Sequence, residues 1–247
     1  MPKNTIQNLP ITNQLLGALP AKEYQLLFPK LELVDLIYTE VIHEPGQIIE
    51  YLYFLNSGIV SFNAVEGNRT VLEIVMIGKE GVWGLSVFLG VPKAFGRALV
   101  QGAGSAMRIK SADLLDFCEL GGALPRLLKY YIHRLVCQNV LAMVCNKLHQ
   151  TEERLARWLL MIRDRMEDDK FPVTHNSLSN MLGVRREAVS RTACNLQRRQ
   201  LISYYRGNLE IINPAGLEAA ACPCYAVIKE QERELSRFDI HSSTTFK

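Results

Sequence analysis

The chain has 247 residues, of which 48% are hydrophobic and 21% charged, a composition that excludes a disordered chain or a collagen-like fibre. No apolar run approaches the roughly 18 uncharged residues that a membrane span requires, and the first residues lack the apolar core of a secretory signal. Six cysteines are too few for a disulfide framework at this length. We therefore expect a cytoplasmic protein that contacts no membrane.

The net charge is only +3, but it is unevenly distributed. Residues 1–150 carry 13 basic and 12 acidic side chains, a balance of +1, whereas residues 171–212 carry six arginines against two acidic residues, a balance of +4. Every basic residue of the second segment is arginine, the side chain suited to bidentate contacts with phosphate or guanine. An ordinary solvated face is the alternative, so charge alone does not assign a nucleic-acid partner.

The first half of the chain is predicted to be rich in strands. A polar lead precedes a short helix expected around Lys22 to Phe28. Between residues 31 and 110, apolar runs alternate with turns at a spacing of about 8–12 residues, which favours a small antiparallel barrel or sandwich. The expected strands are 36–38, 51–55, 59–62, 71–75, 98–100 and 106–109, and the expected turns are 44–46, 56–58 and 66–68.

Two helices are predicted in the middle of the chain. The first begins near Pro125, extends to Leu148 and carries apolar residues on nearly two faces, so it can pack on its own domain and on a second copy of itself. A fully buried core helix in a monomer is the alternative. The second runs from Thr151 to about Met166, with apolar residues along one face, and ends before Pro172.

Residues 174–198 have the pattern of a helix-turn-helix. Thr174 can cap a first helix, Gly183 supplies a tight turn, and a second helix runs from Arg185 to about Arg198. At about 100° per residue, one side of the second helix is small and apolar. The opposite side presents Arg186, Glu187, Ser190, Arg191 and Cys194.

The polar side of this second helix has the chemistry needed to recognise G·C base pairs. An arginine donates two hydrogen bonds to guanine O6 and N7, and a glutamate accepts from cytosine N4. A salt-bridged surface formed by Arg186, Glu187 and Arg191 is the alternative. Downstream, a hairpin with Arg206 at its tip can contact the phosphate backbone, and Asn213-Pro214 begins a short helix.

The sequence resembles the Crp/Fnr family of bacterial transcription regulators over nearly its whole length. In the first half the resemblance rests on Glu44-Pro45-Gly46, Tyr53-Phe54 and Ser57-Gly58, and in the second half on residues 154–160 and 182–191. It implies an α+β fold with a cyclic-nucleotide-binding-like jelly roll. The implied divisions are a sensor domain (1–120), a dimerisation helix (121–150), a winged helix-turn-helix (151–225) and a tail (226–247).

The resemblance also implies a DNA target and a set of contacts. The operator is expected to be a palindrome with TGTGA-like half-sites, and the family's base-reading residues match Arg186, Glu187 and Arg191. The full set of expected DNA-binding residues is Thr174, Arg185, Arg186, Glu187, Ser190, Arg191 and Arg206.

The cyclic-nucleotide signature of the family is incomplete in this chain. Its Gly-Glu-x-Gly run aligns with Gly81-Val82-Trp83-Gly84, so Val82 replaces the carboxylate that holds the ribose. A later Arg-Ser or Arg-Thr pair aligns with Arg97-Ala98, which keeps the arginine and loses the hydroxyl. We therefore expect a different or lost effector at a pocket formed by Gly81, Val82, Trp83, Gly84, Arg97 and Ala98.

No metal and no other cofactor are expected. The family's iron–sulfur members carry an N-terminal cysteine cluster, whereas the first cysteine here is Cys118. Cys222-Pro223-Cys224 lacks a second pair, and Cys145 with His149 provides only two ligands at a helical spacing of four. Each motif alone is too small to hold a metal ion.

The function hypothesis is a dimeric, sequence-specific DNA-binding regulator gated by an unidentified signal at its N-terminal domain. Its expected partners are double-stranded DNA, a second copy of the chain, RNA polymerase and a small-molecule effector. A ligand-binding module that controls a protein partner is the alternative. We expect no enzyme, because neither a phosphate-binding loop nor a catalytic constellation is present in the sequence.

Overall fold

A computed structural model describes residues 12–67 and 69–236 of the chain. The fold is α+β, as predicted, with a large antiparallel sheet in the N-terminal half and a small sheet among helices in the C-terminal half. The polar lead (1–11), Asn68 of the expected turn and the tail from residue 237 onwards lie outside the described residues.

The N-terminal sheet contains six strands, which are β1 (Glu32–Leu36), β2 (Val41–His43), β3 (Tyr51–Glu66), β4 (Arg69–Ile77), β5 (Val82–Trp83) and β6 (Arg97–Lys110). They run in the order β1-β6-β3-β4, with β2 paired to β6 and β5 to β3. The long strands β3 and β6 form the centre, because they pair from Tyr51 opposite Lys110 to Asn63 opposite Arg97.

The predicted turn at residues 56–58 is wrong, because these residues lie inside β3. Strands predicted separately at 51–55 and 59–62 are one strand, and those at 98–100 and 106–109 are likewise joined in β6. Gly58 has a φ of +80°, and a Cβ at this position would lie 2.5 Å from the carbonyl oxygen of Gly102. The glycine therefore marks a bulge where two backbones approach closely.

Four helices flank this sheet in sequence, namely α1 (Gln14–Gly17), α2 (Ala21–Leu27), α3 (Ser111–Glu119) and α4 (Ala123–Leu148). Helix α2 agrees with the predicted short helix, whereas α1 and α3 were not predicted. Helix α4 begins two residues before Pro125, where the carboxylate of Glu23 accepts a hydrogen bond of 2.8 Å from the amide of Ala123. A remote side chain therefore caps the long helix.

Helix α4 changes character along its length. Its first half is buried against the sheet through Leu124, Leu127, Leu128 and Tyr131. Its second half carries an exposed apolar stripe whose side chains are between 42% and 69% exposed, namely Val136, Val140, Met143, Val144 and Leu148. The helix thus has the two apolar faces that the sequence predicts, and the second face has no partner within the described chain.

The C-terminal half is built around one central helix. Its elements are α5 (Thr151–Met166), β7 (Lys170–Pro172), α6 (His175–Leu182), α7 (Arg186–Arg198), β8 (Ile202–Tyr205), β9 (Asn208–Ile211), α8 (Pro214–Ala220) and α9 (Cys224–Ser236). The apolar face of α5, with Leu155, Leu159 and Ile162, forms the core of this half. Strand β7 was not predicted, and α9 runs across the predicted boundary at residue 225.

A buried ion pair joins the two halves. The guanidinium of Arg165 on α5 lies 2.8 Å from the carboxylate of Glu80, in the loop before β5, and both side chains are less than a tenth exposed. Glu80 also accepts a hydrogen bond of 3.1 Å from the amide of Gly78, and Arg165 donates to the carbonyl of Met161. These partners offset the cost of removing both charges from water.

Among the described helices, none combines the length and the hydropathy that crossing a membrane requires.

Candidate nucleic-acid interface

Helices α6 and α7 form the predicted helix-turn-helix. The hydroxyl of Thr174 accepts a hydrogen bond of 3.0 Å from the amide of Ser177 and so caps α6, as expected. Gly183 ends α6 with a φ of +62° and turns the chain into α7. The inner faces of the two helices and α5 are packed together through Leu178, Met181, Leu182, Val189, Ala193 and Leu196.

The outer face of α7 is exposed and rich in arginine. Arg186, Glu187, Ser190 and Arg191 are all exposed, as is Arg185 immediately before the helix. Within the described chain, no carboxylate forms an ion pair with Arg185, Arg186 or Arg191. The alternative of a salt-bridged Arg–Glu–Arg surface is therefore not what the structure shows, and these guanidinium groups are free to contact phosphates or bases.

The far end of α7 is held in place by α5. The carboxylate of Glu152 accepts a hydrogen bond from the side chain of Asn195 and forms an ion pair of 2.6 Å with Arg199. The ion pair with Glu152 therefore engages the guanidinium of Arg199 within the protein, where it helps to hold α7 against α5. This contact separates it from the unpaired arginines at the start of the same helix.

Strands β8 and β9 form a wing beside α7. Arg206 and Gly207 both have positive φ, +49° and +81°, so the connection is a two-residue turn of type I′. The guanidinium of Arg206 lies 5.1 Å from the centre of the Tyr205 ring, and both side chains are exposed. Strand β7 pairs with β9 and completes a three-stranded sheet.

A groove of about 320 Å³ separates α7 from the wing. The predicted residues Ser190 and Arg206 line it together with His175, Gln197 and Tyr205, which were not predicted as DNA contacts. Gln197 falls near 20° on the helical wheel that starts at Arg186, so the periodicity of the sequence already places it on the polar side of α7. For His175 and Tyr205 no such signal exists, since their positions depend on the packing of α6 and the wing.

The predicted effector residues of the loop around β5 are part of the hydrophobic core. Gly81, Val82, Trp83 and Gly84 are all buried. A Cβ at Gly81 would overlap the hydroxyl of Tyr131, so α4 packs directly on this loop. The indole nitrogen of Trp83 donates a hydrogen bond of 3.1 Å to His43 Nδ1, and burial lowers the pKa of His43, which favours the neutral ring as the acceptor.

Arg97 faces a different space from these four residues, while the neighbouring Ala98 is fully buried. A cavity of about 380 Å³ lies between the N-terminal sheet and α6. Its polar lining from the sheet includes Ser61, Asn63, Glu73, Arg97 and Gln101, and its lining from α6 is Asn176, Ser177 and Asn180. The structure thus separates Arg97 from Gly81–Gly84 and places it at the contact between the two halves.

Glu73 is the most unusual group in this cavity. Its side chain is buried, and neither its Oε1 atom nor that of Gln101 has a hydrogen-bond partner in the described structure. Burial raises the pKa of Glu73 to about 8, although Arg165 lowers it in part. The cavity therefore offers the unpartnered Oε1 atoms of Glu73 and Gln101, beside the guanidinium of Arg97, which forms an ion pair of 2.9 Å with Glu44.

The two incomplete metal motifs of the sequence come together in space. Cys145 and His149 at the end of α4 meet Cys222 and Cys224 near the start of α9, and the four ligand atoms lie within 4.8 Å of one another. The sequence does not predict that the two pairs meet, because nothing in their spacing shows that they are neighbours.

Residues 153–220 match the model of the Crp-like helix-turn-helix domain. The nitrogen fixation regulation protein FixK of Bradyrhizobium diazoefficiens is 26% identical over 174 residues, which cover 65% of this chain and 73% of that protein. The second half of the chain therefore contains a Crp-like helix-turn-helix domain, and the chain as a whole is similar to a regulator of nitrogen fixation.

Solved structures of other regulators have a similar fold. FixK2 from Bradyrhizobium japonicum matches with a TM-score of 0.65 at 17% identity, covering 78% of this chain and 98% of that one. The c-di-GMP responsive regulator CLP of Xanthomonas campestris matches with a TM-score of 0.64 at 16% identity, covering 78% and 99%. These likenesses concern the fold of the chain.

Proposed function

We propose that this protein is a Crp/Fnr-type transcription regulator. It acts as a homodimer that recognises a palindrome with TGTGA-like half-sites, and a signal at its N-terminal half controls this binding. The observation that carries the proposal is the outer face of α7, where Arg185, Arg186 and Arg191 are exposed and unpaired beside Glu187. An arginine that is not committed to an intramolecular ion pair can form the bidentate contact that specifies guanine. Thr174 and Ser190 complete the base and phosphate contacts, and RNA polymerase is the downstream partner.

The exposed stripe on the second half of α4 supports the dimer. Its members include Val136, Val140 and Val144, at intervals of four residues, so they lie along one side of the helix. Two copies of α4 packed through this stripe would bury it and place two α7 helices on one face. Such a dimer would present its recognition helices to successive major grooves about 34 Å apart.

Dimer formation is tested by sedimentation velocity. Val140→Glu introduces a charge into the stripe and should convert the dimer to a monomer at micromolar concentration. Lys22→Glu introduces a negative charge at an exposed residue of α2, outside the stripe, and should leave the dimer intact. A wild-type protein that sediments as a monomer, or a Val140→Glu variant that remains a dimer, would contradict the proposed interface.

The cavity between the sheet and α6 supports the proposal that a signal at the N-terminal half controls DNA binding. A small polar molecule with hydrogen-bond donors would satisfy the free acceptors of Glu73 and Gln101. Because Asn176 and Asn180 of α6 line the same cavity, an occupant would contact both halves of the protein. Its binding energy would then differ between arrangements of the two halves, which is the condition for a ligand to shift that equilibrium.

The experiment that tests DNA recognition is selection of bound sites from a random duplex library with the purified protein, with and without cyclic AMP. An inverted repeat enriched without nucleotide supports the proposed base-reading face and makes cyclic AMP dispensable. Enrichment that depends on cyclic AMP would overturn our interpretation of Val82 and Ala98. Absence of enrichment in both arms would favour a module that controls a protein partner.

A further inference from the structure

The two pairs of metal-ligand residues converge at the junction between α4 and the DNA-binding half. Cys145 lies in the last turn of α4, and His149 follows that helix directly. The Sγ atoms of Cys145 and Cys222 are 3.4 Å apart, and the Sγ atom of Cys224 is 3.6 Å from His149 Nδ1. Residues separated by more than 70 positions in sequence thus form one cluster of four donors.

The spacing of these donor atoms fits a single tetrahedral ion. Metal–sulfur bonds of about 2.3 Å place two ligand sulfurs about 3.8 Å apart in a zinc tetrahedron. The observed 3.4 Å between Cys145 and Cys222 is close to that value and far above the ~2.05 Å of a disulfide. A cluster with several irons would need its ligand atoms spread around a larger core than donors within 4.8 Å of one another allow.

The surroundings of the cluster suit a closed structural site. Cys145, Cys222 and Cys224 are at most 5% exposed, and Leu141 packs against them. Three cysteines and one histidine form a ligand set that structural zinc sites use, with no position left open for substrate. Burial also protects the thiols from solvent oxidants.

The charge around the cluster is the second observation that points to an ion. Three thiolates, one neutral imidazole and Zn²⁺ together carry a single net negative charge. Arg157 is 3% exposed, its Nε atom has no hydrogen-bond partner, and no carboxylate pairs with it among the described residues. Its positive charge acts on all three thiols of the cluster. An anionic zinc–thiolate centre would be the counter-charge that this buried guanidinium lacks.

We propose that Cys145, His149, Cys222 and Cys224 bind one Zn²⁺ ion, which fixes the end of α4 to the start of α9. The amide of Cys222 donates to the carbonyl of Glu153, so the site also adjoins the first turn of α5. An ion held here sets the angle at which the DNA-binding half leaves the long helix. This site lies apart from the DNA interface and from the cavity beside Arg97, and it does not depend on the proposed operator or dimer.

The first test measures metal content. Protein purified under reducing conditions from zinc-supplemented medium should contain about one zinc per chain by plasma mass spectrometry. The metal-free protein, titrated with Co²⁺ in the absence of oxygen, should develop the visible absorption bands of tetrahedral cobalt and the near-ultraviolet bands of thiolate ligation. Iron in place of zinc, or cobalt spectra of an octahedral ion, would overturn the proposal.

The second test uses matched variants of the same helix. His133 and Cys137 have the same spacing of four residues on α4, with 3.5 Å between Nε2 and Sγ, but within residues 12–67 and 69–236 no second pair of cysteines faces them. Cys137→Ser should therefore keep one zinc per chain, whereas Cys224→Ser should weaken zinc binding by at least about tenfold and shift the cobalt bands. Equal zinc affinity in both variants, or a Cys145–Cys222 disulfide in metal-free protein handled without oxygen, would contradict the site.

Discussion

The arginines of α5 and those at the start of α7 are the same residue type in opposite surroundings. On α5, Arg154, Arg157 and Arg165 are buried, and Arg165 is paired with Glu80. Around the start of α7, Arg186 and Arg191 are exposed and unpaired. The Glu80 carboxylate offsets the cost of burying Arg165, so this arginine has a role in the architecture of the protein. An exposed arginine without a partner is available to a ligand, which we propose to be DNA at this position on α7.

Removing the buried pair should have the largest effect. Arg165→Met leaves the Glu80 carboxylate buried without its partner, so we expect the free energy of unfolding to fall by about 3–5 kcal/mol in urea denaturation. Arg163 is the matched control, because it lies on the same helix and forms a surface ion pair with Asp169. Arg163→Met should cost less than about 1 kcal/mol. Similar losses in the two variants would remove the distinction between the buried and the exposed arginines.

Glu73 extends the comparison to a buried acid without a full set of partners. Its folded-state pKa of about 8 lies above the ordinary value of 4.5, so its contribution to stability is complete below pH 4.5 and is lost as the pH rises through 8. The glutamine side chain of Glu73→Gln is uncharged at every pH. The melting temperature of this variant should therefore rise relative to that of the wild type as the pH increases from 5 to 9. Thermal denaturation at several pH values checks this, with the exposed Glu119→Gln as a control. A constant difference across this range would contradict the raised pKa.

Arg186→Ala should affect DNA binding and leave folding intact. Loss of one bidentate contact should weaken binding to the selected site by about 1–3 kcal/mol and relax base preference at one position. Fluorescence anisotropy with specific and random duplexes measures both effects, and Arg126→Ala, an exposed residue of α4, is the control. An equal loss on specific and random DNA would assign Arg186 to the phosphate backbone instead.

Arg206→Ala should have the smallest effect and a different signature. The tip of the wing is expected to contact a phosphate, so the variant should lose affinity for all sequences alike. The slope of log affinity against log salt should decrease by about one. A change in base preference with an unchanged salt slope would assign Arg206 to the bases.

Local periodicity predicts the helix-turn-helix well, because the relevant signals lie within a few residues of each other. The wheel that starts at Arg186 separates the exposed side of α7 from Val189, Ala193 and Leu196, which the structure buries. The same reasoning places the apolar face of α5 correctly. In both helices, the side chains that decide the structure are three or four residues apart.

Features that depend on distant pairing were not predictable in the same way. Gly58 has the local pattern of a turn, and only the approach of Gly102 shows that it is a bulge within a long strand. The cysteine cluster likewise joins residues from α4 and α9, and neither pair carries information about the other. Contacts of this kind are set by tertiary packing, which a local pattern does not encode.

Cys194 is a natural labelling site in the candidate interface, so no cysteine has to be introduced by mutation. It is the exposed thiol among six cysteines, and it lines the groove between α7 and the wing. Duplex DNA bound in that groove would shield Cys194 from a maleimide, whereas the partly exposed Cys118 and Cys137 lie elsewhere and the three buried cysteines would react slowly. The rate of alkylation at Cys194, followed by peptide mass spectrometry of the native protein, would therefore report how much of the groove is occupied in solution.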